Sequence, residues 1–249
     1  MNRNSRLIPG FQAVRESLLR EEMAIQEIWI TQGKKGPRVT EIVHIAERRH
    51  IPVRFKRASE VSRVLPDNIH QGFIALVEGF HYADLDQIVE RALKVQGNGL
   101  LIAVDHITDE GNLGALIRTA AFFGSHGMVI PKDRSAGVTA RVLKSAAGAH
   151  NYLPVAKVVN LGMTLKFLDK KGFWIIGTSV DEDVLSLYEF DWKRDVVLVL
   201  GNEQKGVSPS IRRLCHQVIG IPVTGQVESL NVSVAGGVIL SEIKRQRAN

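Results

Sequence analysis

The chain has 249 residues, of which 45% are hydrophobic and 23% charged, a globular composition that can fill one large core or two modest ones and excludes a disordered or fibrous chain. Cys215 is its only cysteine, so an internal disulfide framework is excluded, and no Cys/His cluster has zinc spacing. The opening MNRNSRLIPG lacks the apolar core of a signal peptide and no apolar run approaches a membrane span, so a cytoplasmic protein with no membrane contact is expected. The net charge is +6, and residues 1–60 hold twelve Lys/Arg against seven Asp/Glu, which puts +5 of it in the first quarter. Such a surplus fits a polyanionic partner, nucleic acid before membrane, or an ordinary solvated surface.

After a basic arm, Phe11, Val14, Leu18 and Leu19 recur at helical spacing, and Ile25, Ile28 and Ile30 read as a strand leading into the basic turn GKKGPR. Val39, Ile42, Val43 and Ala46 give a second helical stripe. IPVRF reads as a strand, Val61 to Leu65 as a short helix and HQGFIALVE as a closing strand. These elements make a small α/β domain over residues 1–79. Residues 80–99 read as a linker with its own amphipathic helix, opened by Asp84 as N-cap and broken by QGNG at 96–99. From residue 100 to 249, short apolar strands alternate with helices: LLIAVD, NLGALIRTAAFFG, GMVIP, VTARVLKSAAGA, YLPVAKV, a helix near 161–170, FWIIGTSV, a short helix, VVLVLG, a helix near 208–215, VIGIP and a final helix. That alternation predicts an α/β domain with a parallel sheet covered on both faces. Ligands of such sheets bind outside the carboxyl ends of the strands, which singles out loops 105–112, 201–207 and 222–229.

The last of these loops opens the stretch IPVTGQVESLNVSVAGGVIL. Ser229 or Asn231 can cap the helix that follows. Its side chains are apolar almost all round, which predicts burial on every side. Gly236 and Gly237 each cost about 1 kcal/mol relative to Ala in a helix, so something must approach that backbone closely. Taken singly, the three loops have ordinary explanations as turns, surface charges and helix entries. They match neither a Walker phosphate loop nor GxGxxG, which disfavours a nicotinamide dehydrogenase.

Together, N-x-G-x-x-x-R at Asn112 to Arg118, G-x-E-x-x-G at Gly201 to Gly206 and I-P-x(6)-S-L-N-V-S-V-A at Ile221 to Ala235 resemble, in order and spacing, the three motifs of the SpoU family of RNA ribose 2′-O-methyltransferases. The first domain, with IPGFQAVRESL and HQGFIALVE, resembles the ribosomal-protein-L30e-like substrate-binding domain of the family's rRNA-modifying branch. The resemblance implies a SPOUT-type α/β domain with a deep C-terminal trefoil knot, S-adenosylmethionine as methyl donor, no metal, and a homodimer packed through the knotted domains. Periodicity implies none of these. A helix–helix approach in that dimer would account for Gly236 and Gly237.

By matching position, Gly201, Ile221 and Leu230 contact the donor, with Thr178 nearby. The resemblance also implies a catalytic set of Arg118, Asn112, Glu203, Ser229 and Asn231. A guanidinium seldom gives up a proton, so Arg118 is expected to clamp a phosphate and stabilise developing alkoxide. Glu203 would orient Arg118 or accept the proton, while Asn112, Ser229 and Asn231 fix the site by hydrogen bonds. Many members carry Pro where this chain has Glu110, so the loop before Asn112 is expected to be less rigid here.

The implied substrate is a guanosine of large-subunit rRNA. The same chemistry on tRNA or on an rRNA adenosine is the alternative, and a non-catalytic RNA-binding or ribosome-assembly protein is the rival of another class. Cys215 reads as a small buried side chain rather than a nucleophile. His106 and His150 lie near candidate loops but in no triad arrangement. Lys132, Arg134, Arg141 and Lys144 form either a second RNA-facing patch or a solvated helix face.

Overall fold

The computed structural model describes residues 5–19, 24–65, 67–181, 183–202, 206–223, 225–226 and 229–248. The chain divides into two compact units, Met1–His81 and Tyr82–Asn249.

In the first unit the elements run β1 (Ser5–Pro9), α1 (Phe11–Leu19), β2 (Ile25–Thr31), α2 (Pro37–Arg48), β3 (Val53–Lys56), α3 (Ala58–Ser62), α4 (Asp67–His70) and β4 (Phe73–Glu78). They form a four-stranded sheet in the order β1-β4-β2-β3, parallel only between β2 and β3. The period of two along β2 and β4 sets the layers. Ile28, Ile30, Phe73 and Ala75 pack with Val14, Leu18, Ile42 and Ala46 of the helices α1 and α2, while Trp29, Ile74 and Leu76 pack with Val61 of α3 on the other face. The basic arm of the sequence reading is in part a strand, since Ser5–Pro9 pairs antiparallel with β4.

The second unit continues with α5 (Leu85–Leu93), β5 (Leu100–Val104), α6 (Glu110–Phe122), β6 (Gly127–Pro131), α7 (Ala140–Ala146), a 3-10 turn (Ala149–Asn151), β7 (Val155–Val158), α8 (Leu161–Lys170), β8 (Trp174–Thr178), β9 (Leu185–Ser186), β10 (Val196–Leu200), α9 (Pro209–Arg212), β11 (Gln217–Gly220) and α10 (Val232–Arg247). Its seven strands lie in the order β7-β6-β5-β10-β8-β11-β9, and every pairing is parallel. The central strands LLIAV and VVLVL are buried at every residue, as unbroken apolar runs require. One face is covered by α5, α8 and α9 through Ile88, Val89, Ala92, Leu161, Leu165, Leu168 and Ile211. Residues 80–99 thus include a helix packed into the core of this unit. Asp84 is its N-cap, accepting from the Asp86 N–H at 3.0 Å. The expected short helix after β8 is instead the edge strand β9.

The other face carries α6, α7 and α10. A Cβ on Gly236 would come within 2.7 Å of Leu116 on α6 and 3.2 Å of Leu200 on β10, so this glycine lets α10 settle onto its own sheet and helix. At Gly237 the nearest atom is Thr119 Cγ2 at 3.6 Å, an ordinary contact. The close approach expected between two copies is therefore met within one chain. Nor is α10 buried on every side: Val232, Gly236, Ile239, Leu240 and Ile243 are buried, whereas Val234 is 51% exposed.

Candidate active site

At the carboxyl ends of β8, β10 and β11 the chain encloses a cavity of about 310 Å³. It is lined by Thr178, Ser179 and Val180 after β8, by Leu200, Gly201, Asn202 and Gly206 after β10, and by Ile219, Ile221, Pro222, Val223 and Gly225 along and after β11. Ser229, Leu230 and the first turns of α10 (Val232, Ala235, Ile239) close it. Among the described lining residues none is charged, and most are aliphatic.

Gly201 is needed where the loop folds back on itself. A Cβ there would overlap the backbone of Gly206 and Val207, which no side-chain rotation can relieve. Asn202 and Gly206 exchange two backbone hydrogen bonds, at 3.0 and 2.7 Å, pinching the loop shut. Glu203, between these two in sequence, lies outside the described residues. The loop is also fastened to β5. Asp105, buried at the end of that strand, accepts from the Ser208 N–H at 2.7 Å and contacts His106 Nδ1 at 2.6 Å, while the His106 carbonyl accepts from Asn202 Nδ2 at 3.2 Å. His106 is held at φ 60°, a left-handed conformation that only surrounding structure can impose on a non-glycine residue. The acid that ends LLIAVD was the signal for this brace.

Asn231 caps α10, accepting from the Ser233 N–H at 2.9 Å. Its amide nitrogen donates to Asn112 Oδ1 at 2.9 Å, tying the start of α10 to the start of α6. Asp109 caps α6 through the Asn112 N–H at 2.7 Å, which puts Glu110 in the first helical position. Proline suits that position too, and a carboxylate there complements the helix dipole, so the departure at Glu110 leaves the helix entry intact. Ser229 lies at the cavity wall, two residues before the cap.

Arg118 is exposed on α6 and does not line the cavity. Six residues of helix separate it from Asn112 by about 120° around the axis and about 9 Å along it. The structure therefore brings together Asn112, Ser229 and Asn231 with Thr178, Gly201, Ile221 and Leu230, and leaves Arg118 on another face of its helix. Sequence reasoning missed Ser179, Asn202 and Val223 as lining residues. Burial pushes the Cys215 thiol up to about 11, and its Sγ lies under Gly177, in keeping with a packed side chain rather than a nucleophile. The Arg212 guanidinium, 2.5 Å from Asp181, holds that carboxyl below its ordinary range just beyond Ser179.

A parallel sheet with a glycine-pinched cavity across three strand ends has its ligand site where open α/β sheets hold their ligands. The family follows from comparison. The model of the SpoU rRNA Methylase family matches residues 99–241, and one described as RNA 2′-O ribose methyltransferase substrate binding matches residues 7–83. The chain belongs to the SpoU rRNA methylase family.

It is 38% identical to the 23S rRNA (guanosine-2′-O-)-methyltransferase RlmB of Ralstonia nicotianae, over 98% of this chain and 97% of that protein. The RlmB of Xanthomonas campestris is 39% identical, over 99% of each chain. Among solved structures, the A. aeolicus TrmH/SpoU tRNA modifying enzyme superposes with a TM-score of 0.56 at 31% identity, covering 66% of this chain and 84% of that one. The SpoU methyltransferase AviRb of Streptomyces viridochromogenes, in complex with the cofactor AdoMet, shares the fold with a TM-score of 0.64 at 24% identity, over 98% and 91% of the two chains.

Proposed function

We propose that this protein transfers a methyl group from S-adenosylmethionine to the ribose 2′-hydroxyl of a guanosine in large-subunit rRNA, in the cytoplasm. The observation that carries the proposal is the cavity whose rim holds the Asn112–Asn231 bond. Its volume and aliphatic walls suit an adenine ring, and the strand-end backbone groups suit the ring's polar edge. When bound, the donor supplies a methyl group already activated on a sulfonium. Gly201, Ile221, Leu230 and Thr178 hold it.

The protein's own part is to orient the 2′-hydroxyl and remove its proton, and orientation alone can contribute much of the rate. Asn112, Ser229 and Asn231 fix the hydroxyl at the rim. Glu203 orients Arg118 or takes the proton, and Arg118 clamps the neighbouring phosphate and stabilises developing alkoxide.

Arg118 is exposed and does not line the cavity of its own chain, so the reading includes a homodimer through the second unit, with Arg118 serving the partner's site. Phe122 on α6 and Val234 on α10, 81% and 51% exposed, offer apolar surface on the two helices concerned. The reading also includes a deep trefoil knot: β10 lies between β5 and β8, and α10, coming last, spans from the cavity to the opposite end of the sheet, where Arg247 meets Asn98. Residues 1–79 engage the RNA as an L30e-like domain, 80–99 join it to the catalytic part, and 100–249 carry the transfer. In the first unit Lys34 and Arg38 are exposed, their cations 5.4 and 5.1 Å from the core rings of Phe73 and Phe11, and they offer charge to RNA phosphates.

The test is incubation with radiolabelled S-adenosylmethionine and unmodified bacterial large-subunit rRNA, followed by mapping of alkali-resistant linkages. One protected guanosine is expected. Label in tRNA instead would keep the chemistry and overturn the role of the first unit; no label in any RNA, with no binding of S-adenosylhomocysteine, would overturn the enzyme.

A further inference from the structure

The segment between β6 and β7 is not used by the site, yet its charge is one-sided. Residues 132–154 hold Lys132, Arg134, Arg141 and Lys144 against Asp133 alone. Lys132, Arg134, Arg141 and Lys144 are all exposed. Elsewhere in the second unit the sequence mixes signs: α8 carries Asp169 beside Lys166 and Lys170, and α10 carries Glu242 beside Lys244 and Arg245.

This basic segment is fastened to the site. The Ile107 carbonyl, one residue past His106, accepts from Ser135 Oγ at 3.0 Å and from the Ala136 N–H at 2.8 Å. The loop is held from below by the Val138 N–H on the Tyr82 hydroxyl at 2.9 Å. It then enters α7 through the Thr139 cap, and α7 seats against α6 where Gly114 leaves no room for a side chain between them. Gly114 stands one turn before Arg118, about 40° from it around the helix. Arg134 holds a left-handed backbone at φ 58°, in a loop held at both of its ends.

We infer that Lys132 and Arg134 on the loop, with Arg141 and Lys144 on α7, form a phosphate-binding track on the catalytic unit, which grips the RNA strand flanking the target ribose. This rests on the methyltransferase reading and extends it: the catalytic unit has its own hold on RNA, separate from that of the first unit. The contact is to backbone phosphates, so it contributes affinity and register rather than base choice.

The paired variants Lys132→Ala/Arg134→Ala and Arg141→Ala/Lys144→Ala test it in the full chain, with Lys166→Ala/Lys170→Ala on the opposite face of the sheet as a control for net charge. Each track variant should raise KM for RNA about 10-fold and make the slope of log affinity against log salt shallower by roughly 1.4–1.8, for two phosphates lost. Its kcat at saturating RNA and its affinity for S-adenosylhomocysteine should stay within about twofold of wild type, and the control should move neither KM nor slope. Unchanged KM and slope in both track variants, while wild type methylates RNA, would overturn the track and leave the function standing. Wild type that binds RNA but methylates none, with the salt slope shallower in the track variants as expected, would overturn the function and leave the track.

Discussion

The two ends of the seven-stranded sheet are built on different principles. At the carboxyl ends the strands open into loops, a glycine pinch and a cavity, and side chains there brace one loop against another. At the amino ends side chains saturate the backbone itself. Asp195 accepts from the Gly99 N–H at 2.6 Å, His126 Nδ1 from Leu100 at 3.0 Å, and His216 Nδ1 from Ile175 at 2.9 Å. Arg247 donates to the carbonyls of Asn98, Gly99, Trp192 and Arg194, at 2.5, 3.4, 3.0 and 2.7 Å. Exposed strand termini are where parallel sheets leave donors and acceptors unpaired, and an unmet buried group costs about 1–3 kcal/mol. Closing one end in this way leaves the other end available for a ligand, with function and stability assigned to opposite edges of one sheet.

The sharpest way to break that division is Gly201→Ala. Overpacking against backbone costs about 1–3 kcal/mol or more, and here it falls on the loop that shapes the cavity. Titration with S-adenosylhomocysteine should show at least about a tenfold loss of affinity in a protein whose circular dichroism is unchanged. The opposite edge should give the opposite result. Arg247→Met removes a cluster of charged hydrogen bonds, each worth about 1.5–3 kcal/mol, and should lower the melting temperature by roughly 10 °C or more, with donor affinity of the folded protein intact. Loss of affinity without loss of stability would merge the two edges into one.

A smaller effect separates the two jobs of Asn231. Asn231→Ser keeps a capping oxygen but loses the reach to Asn112, so methyl transfer should fall while stability holds. Asn231→Ala should lose about 1 kcal/mol of stability as well. Equal stability of the two variants in urea would show that the cap is not what Asn231 contributes.

The smallest effect is a titration at the closed edge. Burial holds the His126 imidazole below its ordinary 6.5, and its Nδ1 accepts from Leu100 only while unprotonated. With the folded value below the unfolded one, the unfolded chain binds more protons on acidification. This contribution is therefore full above about pH 6.5 and is lost as pH falls through the folded value. Urea midpoints at pH 8 and pH 5 should differ less for His126→Asn than for wild type, with donor affinity the same at matched pH.

The open edge was largely legible in sequence and the closed edge was not. Apolar runs such as VVLVL announce strands, and Gly201, Ser229 and Asn231 are unusual residues where chains turn, so loops 201–207 and 222–229 stood out. Arg247 left no such mark, because its acceptors are backbone carbonyls and every sequence has those. The strand Ser5–Pro9 escaped for a related reason: its partner Phe73–Glu78 lies far along the chain, and five residues ending in proline carry little periodicity. The reading of α10 as buried all round failed at Val234, since composition counts apolar side chains but not the faces that meet them. Asn112 and Arg118 were read as one motif, yet a shared motif is not a shared face once six helical residues separate them.

The Arg247 clamp also has a consequence in time. The carbonyl of Asn98 that it holds is 149 positions earlier in the chain, and Arg194 is 53 earlier. At about 5–20 residues per second of synthesis, the first of these carbonyls waits roughly 7–30 s for its donor to be made. The amino edge of β5 is therefore completed only after the strands beside it have been synthesised.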